Sequence, residues 1–305
     1  MSVQHAVGRL WFDTPEEYAA YSNNLLQVER KRFVVPRRTV LLGPSNPDDP
    51  ATAMSSSDLI RPLGKALAAE RLDWKVETFT GSEATKRRLS ALHRRRDRPG
   101  LLIFAGHGLW FPCGHPAQLS NQGALLCQDW PGPRTWRGKL SDDFYFSSND
   151  VDPASGPCGM IAFYSSCFSA GTPKLDEFNF ISAVKSAPEA FVADLPRRLL
   201  GHPKGGALAV IGKVDKMWEC SFHWGNSAQI ETYRSFAGDI MGGHPVGYAM
   251  RSFSLRYAEL STLHLEDIED SVKSGSDDDW YFKTATKDAK NYLLLGDPAA
   301  RLPIE

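Results

Sequence analysis

Long apolar runs are missing from this 305-residue chain, and none approaches the ~20 residues that a bilayer-spanning helix requires. No membrane partner is therefore expected. The N-terminal stretch MSVQHAVGRLWFDTPEEY lacks the basic-then-apolar order of a secretory leader, so the expectation is a cytoplasmic protein. Cysteine is scarce as well: Cys113, Cys127, Cys158, Cys167 and Cys220 are odd in number and form no CxxC pair, which excludes a disulfide scaffold. Reduced thiols are expected. Excess charge of either sign is absent, with 35 Lys+Arg against 36 Asp+Glu, so a generally cationic nucleic-acid binder is excluded and direct nucleic-acid binding is not expected. The basic band of Lys86, Arg87, Arg88, Arg94, Arg95 and Arg96 reads as a solvated helix face. No Walker loop, GxGxxG, HExxH or GxSxG occurs, which removes the usual grounds for nucleotide binding, zincin or serine-hydrolase chemistry. Cys113, His115, Cys127 and Cys158 match no zinc spacing, and residues 266–279 lack the regular spacing of a calcium loop. No metal and no cofactor are expected.

What is present is an alternation of strand and helix. Residues 1–36 mix aromatics with charge and end at Pro36, which predicts a helical lead-in before a main domain at residues 37–305. TVLL (39–42) reads as a buried strand, followed by a turn-rich loop at 43–50 and a helix from about Ser57 to Arg71 with Pro62 in its first turn. WKVETF (74–79) alternates with period two, and a second helical pattern runs from Ser82 through Leu89 and Leu92. Three continuous apolar runs, LLIFA (101–105), MIAFY (160–164) and ALAVI (207–211), read as central strands covered on both faces. YLLL (292–295) closes an edge. The class this predicts is α/β, a mainly parallel central sheet with helices on both faces. A long insertion at 108–159 interrupts the alternation, and such loops are usually functional. Residues 226–263 read as two helices broken near Gly242-Gly243-His244-Pro245. Seven acids and one lysine at 266–279 read as a solvated loop.

In an open parallel sheet, ligands lie beyond the carboxyl ends of the strands. The third strand ends in Gly106-His107-Gly108, and the fourth in Ser165-Ser166-Cys167-Phe168-Ser169. An imidazole and a thiol thus emerge into one crevice. A free thiol ionises near pH ~8.5 and attacks only as thiolate, so a neighbouring histidine must take its proton. Gly106 and Gly108 let the backbone approach a ligand, and the amides of Gly108 and Cys167 can together form an oxyanion hole. Acyl transfer is the reaction class this pattern suggests.

These residues also carry a resemblance. LLIFAGHG, with His107-Gly108, followed by MIAFYSSCFSAG, with Cys167, is similar to the caspase-like cysteine peptidases: caspases, gingipains, separase and bacterial CHAT-domain proteins. The closing NYLLLGDPAARLP resembles the last strand of gingipain-like and CHAT-type members, and QGALLCQDWPGP resembles a feature of that subgroup. The resemblance covers residues 37–303. It implies a three-layer caspase-hemoglobinase-like fold, His107 and Cys167 as catalytic dyad, Gly108 and Cys167 as oxyanion donors, and a backbone carbonyl orienting the imidazole. Ser165 stands where metacaspases have Asp, and the caspase QACxG signature is absent, so a preference for Asp is not implied.

In this family the loops after the first strand and after the strand following the nucleophile build the specificity pocket. Asp48 and Asp49 from the first loop, and Asp215 and Trp218 from the second, are the candidate substrate-binding residues. A carboxylate there would pair with a guanidinium, and Trp218 would wall its stem. The expected function is a regulated cysteine endopeptidase cleaving a protein or peptide substrate after Arg or Lys. A latent or non-catalytic caspase-like regulatory domain is the alternative. The family implies an activating partner or ligand, and a setting such as bacterial defence or cell death.

Overall fold

The computed structural model describes residues 5–225, 227–274 and 280–304. Its centre is a six-stranded sheet: β1 (Arg38–Gly43), β2 (Lys75–Thr80), β3 (Leu101–Ala105), β4 (Ile161–Ser165), β5 (Ala209–Lys213) and β6 (Tyr292–Gly296), in the order β6-β5-β4-β3-β1-β2. The first five are parallel, and β6 closes the edge against β5 in the antiparallel sense. The order reverses between β1 and β3, the kind of switch point at which the loops of neighbouring strands diverge and leave a crevice.

Alternation along the strands divides the core into two layers. Leu41, Ile103, Phe163 and Ile211 face one side, where they meet Leu59, Leu63 and Leu67, together with helix residues Phe236, Ile240 and Phe253. Val40, Leu42, Leu102, Phe104, Tyr164 and Val210 face the other, against Tyr21, Leu89, Leu92, Leu195 and Leu199. In chain order the helices are α1 (Pro15–Glu29), α2 (Pro50–Met54), α3 (Arg61–Glu70), α4 (Lys86–Leu92), α5 (Gln118–Asn121), α6 (Asp194–Leu200), α7 (Glu231–Met241), α8 (Val246–Ala249), α9 (Arg251–Ser274) and α10 (Trp280–Lys290). The result is a three-layer α/β sandwich.

Two features differ from the sequence expectation. The helix after β1 begins at Pro50 rather than near Ser57, with Asp49 as N-cap. It passes through a π-helical turn at Ser55–Ile60 into α3. Pro62 therefore sits in the helix path, just after a widened turn that gives its ring room against the preceding carbonyls. The acidic run at 266–279 is not a loop as far as residue 274, because α9 continues through it; the remainder, 275–279, lies outside the described residues. The packing of α9 lies upstream of the acids, where Leu260 meets Ala285 and Ala289 of α10. The lead-in is also joined closely to the sheet: Arg9 bridges Leu295, and the Tyr21 hydroxyl donates to the Leu208 carbonyl at 2.9 Å. Among the described residues, no helix is long and apolar enough to cross a membrane.

Candidate active site

Strand register brings the two motifs together. Ala105 pairs with Ser165 across β3 and β4, so His107 and Cys167, each two residues beyond, leave the sheet at the same level. A methyl group placed on Gly108 would lie 1.9 Å from the Cys167 carbonyl oxygen. Only glycine permits that approach.

His107 does not rely on a backbone carbonyl for its orientation. Its Nε2 lies 2.7 Å from Oδ2 of Asp49, across the switch point between β1 and β3. Asp49 is held in turn: its carboxylate accepts from Ala51 N at 3.2 Å and from Thr52 Oγ1 at 3.1 Å while capping α2. Burial alone would raise its carboxyl, but the hydrogen bond and charge of His107, with the Thr52 and Ala51 bonds, hold it below the ordinary carboxylate value. Asp49 is ionised at neutral pH, so the neutral imidazole carries its proton on Nε2 and presents a lone pair at Nδ1.

The insertion supports both loops. Asn46 Nδ2 donates to the carbonyls of Cys127 and Trp130, and Gln128 exchanges two hydrogen bonds with Ser45. Gly132, at φ +92°, abuts the Pro47 carbonyl, and Gly123, at φ +79°, abuts that of Phe168. The QGALLCQDWPGP motif is thus a brace for the segments carrying Asp49 and Cys167. Leu126 N donates to the His107 carbonyl, extending the β3 edge past the sheet.

Cys167 Sγ receives a hydrogen bond from Met217 N at 3.3 Å. Burial pushes its thiol above the ordinary range, opposed by the Met217 amide and the charge of Lys213. The resting group is a neutral thiol. Among the described residues, the amides of Gly108 and Cys167 have no hydrogen-bond acceptor.

The four residues chosen from the sequence for substrate binding are otherwise engaged. Asp48, at φ +57°, pairs with Arg134 at 3.3 Å on the surface. Asp49 holds His107. Asp215 is fully buried, its carboxylate accepting from Glu177 N and Lys216 N, and burial raises its carboxyl. Trp218 packs on Phe178 and on the cluster between α9 and α10. The structure brings forward a different acid. Asp58, in the π-turn, lies 2.9 Å from His223 Nδ1, and His223 stands six residues after Met217 in the loop that follows β5. An Asp within SSSD carried no signal of this kind without the loop opposite it.

Together these features set a carboxylate–histidine pair and a cysteine at the carboxyl edge of a caspase-like α/β fold. The chain belongs to Peptidase family C25, whose family model matches residues 2–303. Among solved structures it is similar to the complex of Porphyromonas gingivalis RgpB pro- and mature domains, with 11% identity and a TM-score of 0.51 over 97% of this chain and 56% of that one. A second protease structure gives 11% identity and a TM-score of 0.52 over 97% and 55%. The Saccharomyces cerevisiae separase–securin complex gives 10% identity and 0.37 over 92% and 13%. At these identities the RgpB and protease matches establish fold alone, and the chain spans about half the length of those two structures. No curated protein matches it.

Proposed function

We propose that the chain is a cysteine endopeptidase that cleaves protein substrates after a basic residue. The observation that carries this reading is the Asp49–His107 contact beside a Cys167 that the β3–β4 register sets at the same level. Asp49 fixes the tautomer, His107 Nδ1 takes the thiol proton as substrate docks, and Sγ attacks the scissile carbonyl. The free amides of Gly108 and Cys167, on backbones in direct contact, receive the oxyanion. His107 then delivers its proton to the leaving amine, and water releases the acyl group.

Asp58 is the carboxylate assigned to the basic side chain. It is partly exposed and faces the loop that runs from the sulfur to His223, and an arriving guanidinium would replace His223 as its partner. Regulation by a covering segment or partner belongs to the proposal: RgpB is seen as a complex of pro- and mature domains. Family resemblance supports a setting in bacterial defence or cell death.

The test is hydrolysis of fluorogenic peptides that differ only in Arg, Lys or Asp before the scissile bond. Arg and Lys peptides should be cleaved and Cys167→Ala should be inactive. Asp58→Asn should raise KM for the Arg peptide about tenfold or more. Activity that survives Cys167→Ala would end the nucleophile assignment, and preference for Asp would end the basic pocket. Silence of the wild-type protein would favour a latent or regulatory domain.

A further inference from the structure

Beyond the groove lies a buried ion pair that the proposed chemistry does not use. Lys213, the last residue of β5, is fully buried, and its Nζ lies 2.8 Å from Asp288 Oδ1 on α10 and 3.9 Å from the centre of the Tyr292 ring. It also donates to the Asp288 carbonyl. Desolvating an ammonium and a carboxylate is costly, and apolar residues of equal volume often stabilise a fold as well or better. Such a pair calls for a role that two apolar side chains could not fill.

The remaining bonds of Asp288 supply one. Its Oδ1 accepts from Trp218 N at 2.9 Å, and its Oδ2 accepts from the Ser221 hydroxyl. These two bonds pin the loop whose Met217 amide points at Cys167 Sγ. The backbone of Lys213 closes the circuit from the other side, its amide donating to Ser169 Oγ at 3.0 Å and its carbonyl accepting from Ala170 N at 2.8 Å. Both segments that flank the sulfur are therefore tied to one ion pair.

We infer that Asp288, held by Lys213, is a positioning residue of the active site: it fixes residues 217–221 so that the Met217 amide meets the Cys167 sulfur, and it couples α10 to the nucleophile. The inference rests on Cys167 being that nucleophile. The charges of the pair act oppositely on the thiol, Lys213 lowering it and Asp288 raising it, so the inference rests on the hydrogen bonds that hold the loop.

Three variants of the full chain test it: Asp288→Asn, Lys213→Met/Asp288→Leu, and Ser221→Ala. Iodoacetamide alkylation is followed by mass spectrometry at the Cys167 peptide, which separates it from the exposed Cys113. Amide hydrogen exchange is followed at residues 216–222, with kcat and KM on an Arg peptide and a thermal melt as control. Asp288→Asn and the double variant should alkylate and turn over about tenfold or more slowly, with faster exchange at 216–222 and KM nearly unchanged. Ser221→Ala should move the same readouts less. Folded variants with wild-type alkylation and exchange would overturn the inference. Should the two charge variants fail to fold, Ser221→Ala decides, because it leaves the ion pair intact; wild-type values there overturn it. Peptidase activity that persists in Cys167→Ala would instead sink the nucleophile reading, while exchange at 216–222 still reports whether Asp288 holds the loop.

Discussion

A single carboxylate does two jobs at the edge of the groove. Asp49 caps α2 through Ala51 N and Thr52 Oγ1, and it holds Nε2 of His107. The two functions separate by substitution. An asparagine keeps an oxygen for the cap, but its amide group carries no charge and can stabilise the wrong imidazole tautomer. Alanine loses both functions, and an N-cap of this kind is worth about 1 kcal/mol. Asp49→Asn should therefore fold with a near-normal melting temperature while kcat drops about a hundredfold or more with KM little changed. Asp49→Ala should lose comparable activity and melt lower. Steady-state kinetics with a thermal melt on each variant check this. An Asp49→Asn protein with full kcat would show that the imidazole needs no carboxylate.

At the scale of the element, the helix leaving β1 shows how one extra residue can serve a site. A uniform α-helix from Pro50 to Glu70 would keep one stripe facing the sheet throughout. The π-turn at Ser55–Ile60, in which Arg61 N bonds to the Ser56 carbonyl, rotates the N-terminal part of the helix relative to its C-terminal part. Leu63 and Leu67 can then pack on the sheet while Asp58 faces His223. Two glycine contacts anchor the C-terminal part: a Cβ at Gly43 would meet Ile60 at 2.9 Å, and one at Gly64 would meet Thr78 Oγ1 at 2.2 Å. Deleting Ser57 should restore α-helical continuity by turning the N-terminal part, since the C-terminal part is anchored. Far-UV circular dichroism should stay close to wild type, whereas kcat/KM on Arg peptides should fall about a hundredfold or more as Asp58 and the Asp49 cap leave their places. A deletion variant with unchanged kcat/KM would show that the widened turn does nothing for the site.

For the molecule as a whole, what could be read in advance depended on whether the cause was local. β3, β4 and β5 are continuous apolar runs because helices cover both faces, and that signature lies within five residues at a time. His107 and Cys167 followed from it, since each stands just past such a run. The partner of His107 could not be read, because Asp49-Pro50 looks like an ordinary turn until β1 and β3 are known to be adjacent. The same holds for Asp58 with His223 and for Lys213 with Asp288, pairs that only the folded topology joins. Charge misled at α9, which runs on as helix into the acids from a packed segment around Leu260.

The pH dependence of stability is likewise a property of the assembled core. His93 is buried between α4 and β4, with Nδ1 2.7 Å from the Leu89 carbonyl and Nε2 2.6 Å from the Tyr164 hydroxyl. Nδ1–H donates to Leu89 and Nε2 accepts from Tyr164, so the ring is neutral. Burial, only partly offset by the Leu89 bond, lowers its pKa from 6.5 to about 4. The unfolded chain therefore binds a proton that the native state refuses. The resulting stability is full above pH 6.5 and is lost as pH falls toward about 4, a difference on the order of 3 kcal/mol for a shift of this size. His202, lowered by burial against the Asp152 carbonyl bond, adds in the same direction. Asp49 acts at lower pH, since its depressed carboxyl is titrated only below the ordinary value of 3.8. Urea midpoints should thus fall between pH 6.5 and 4, with the raised Asp215 carboxyl opposing part of that fall, and should decline again toward pH 9, where the unfolded chain ionises thiols that burial keeps neutral in the fold. His93→Gln, which can still donate and accept but does not titrate, should cost about 1–2 kcal/mol at pH 7.5 and flatten most of that acid limb. A variant whose midpoint falls as steeply as wild type across that window would place the proton uptake elsewhere.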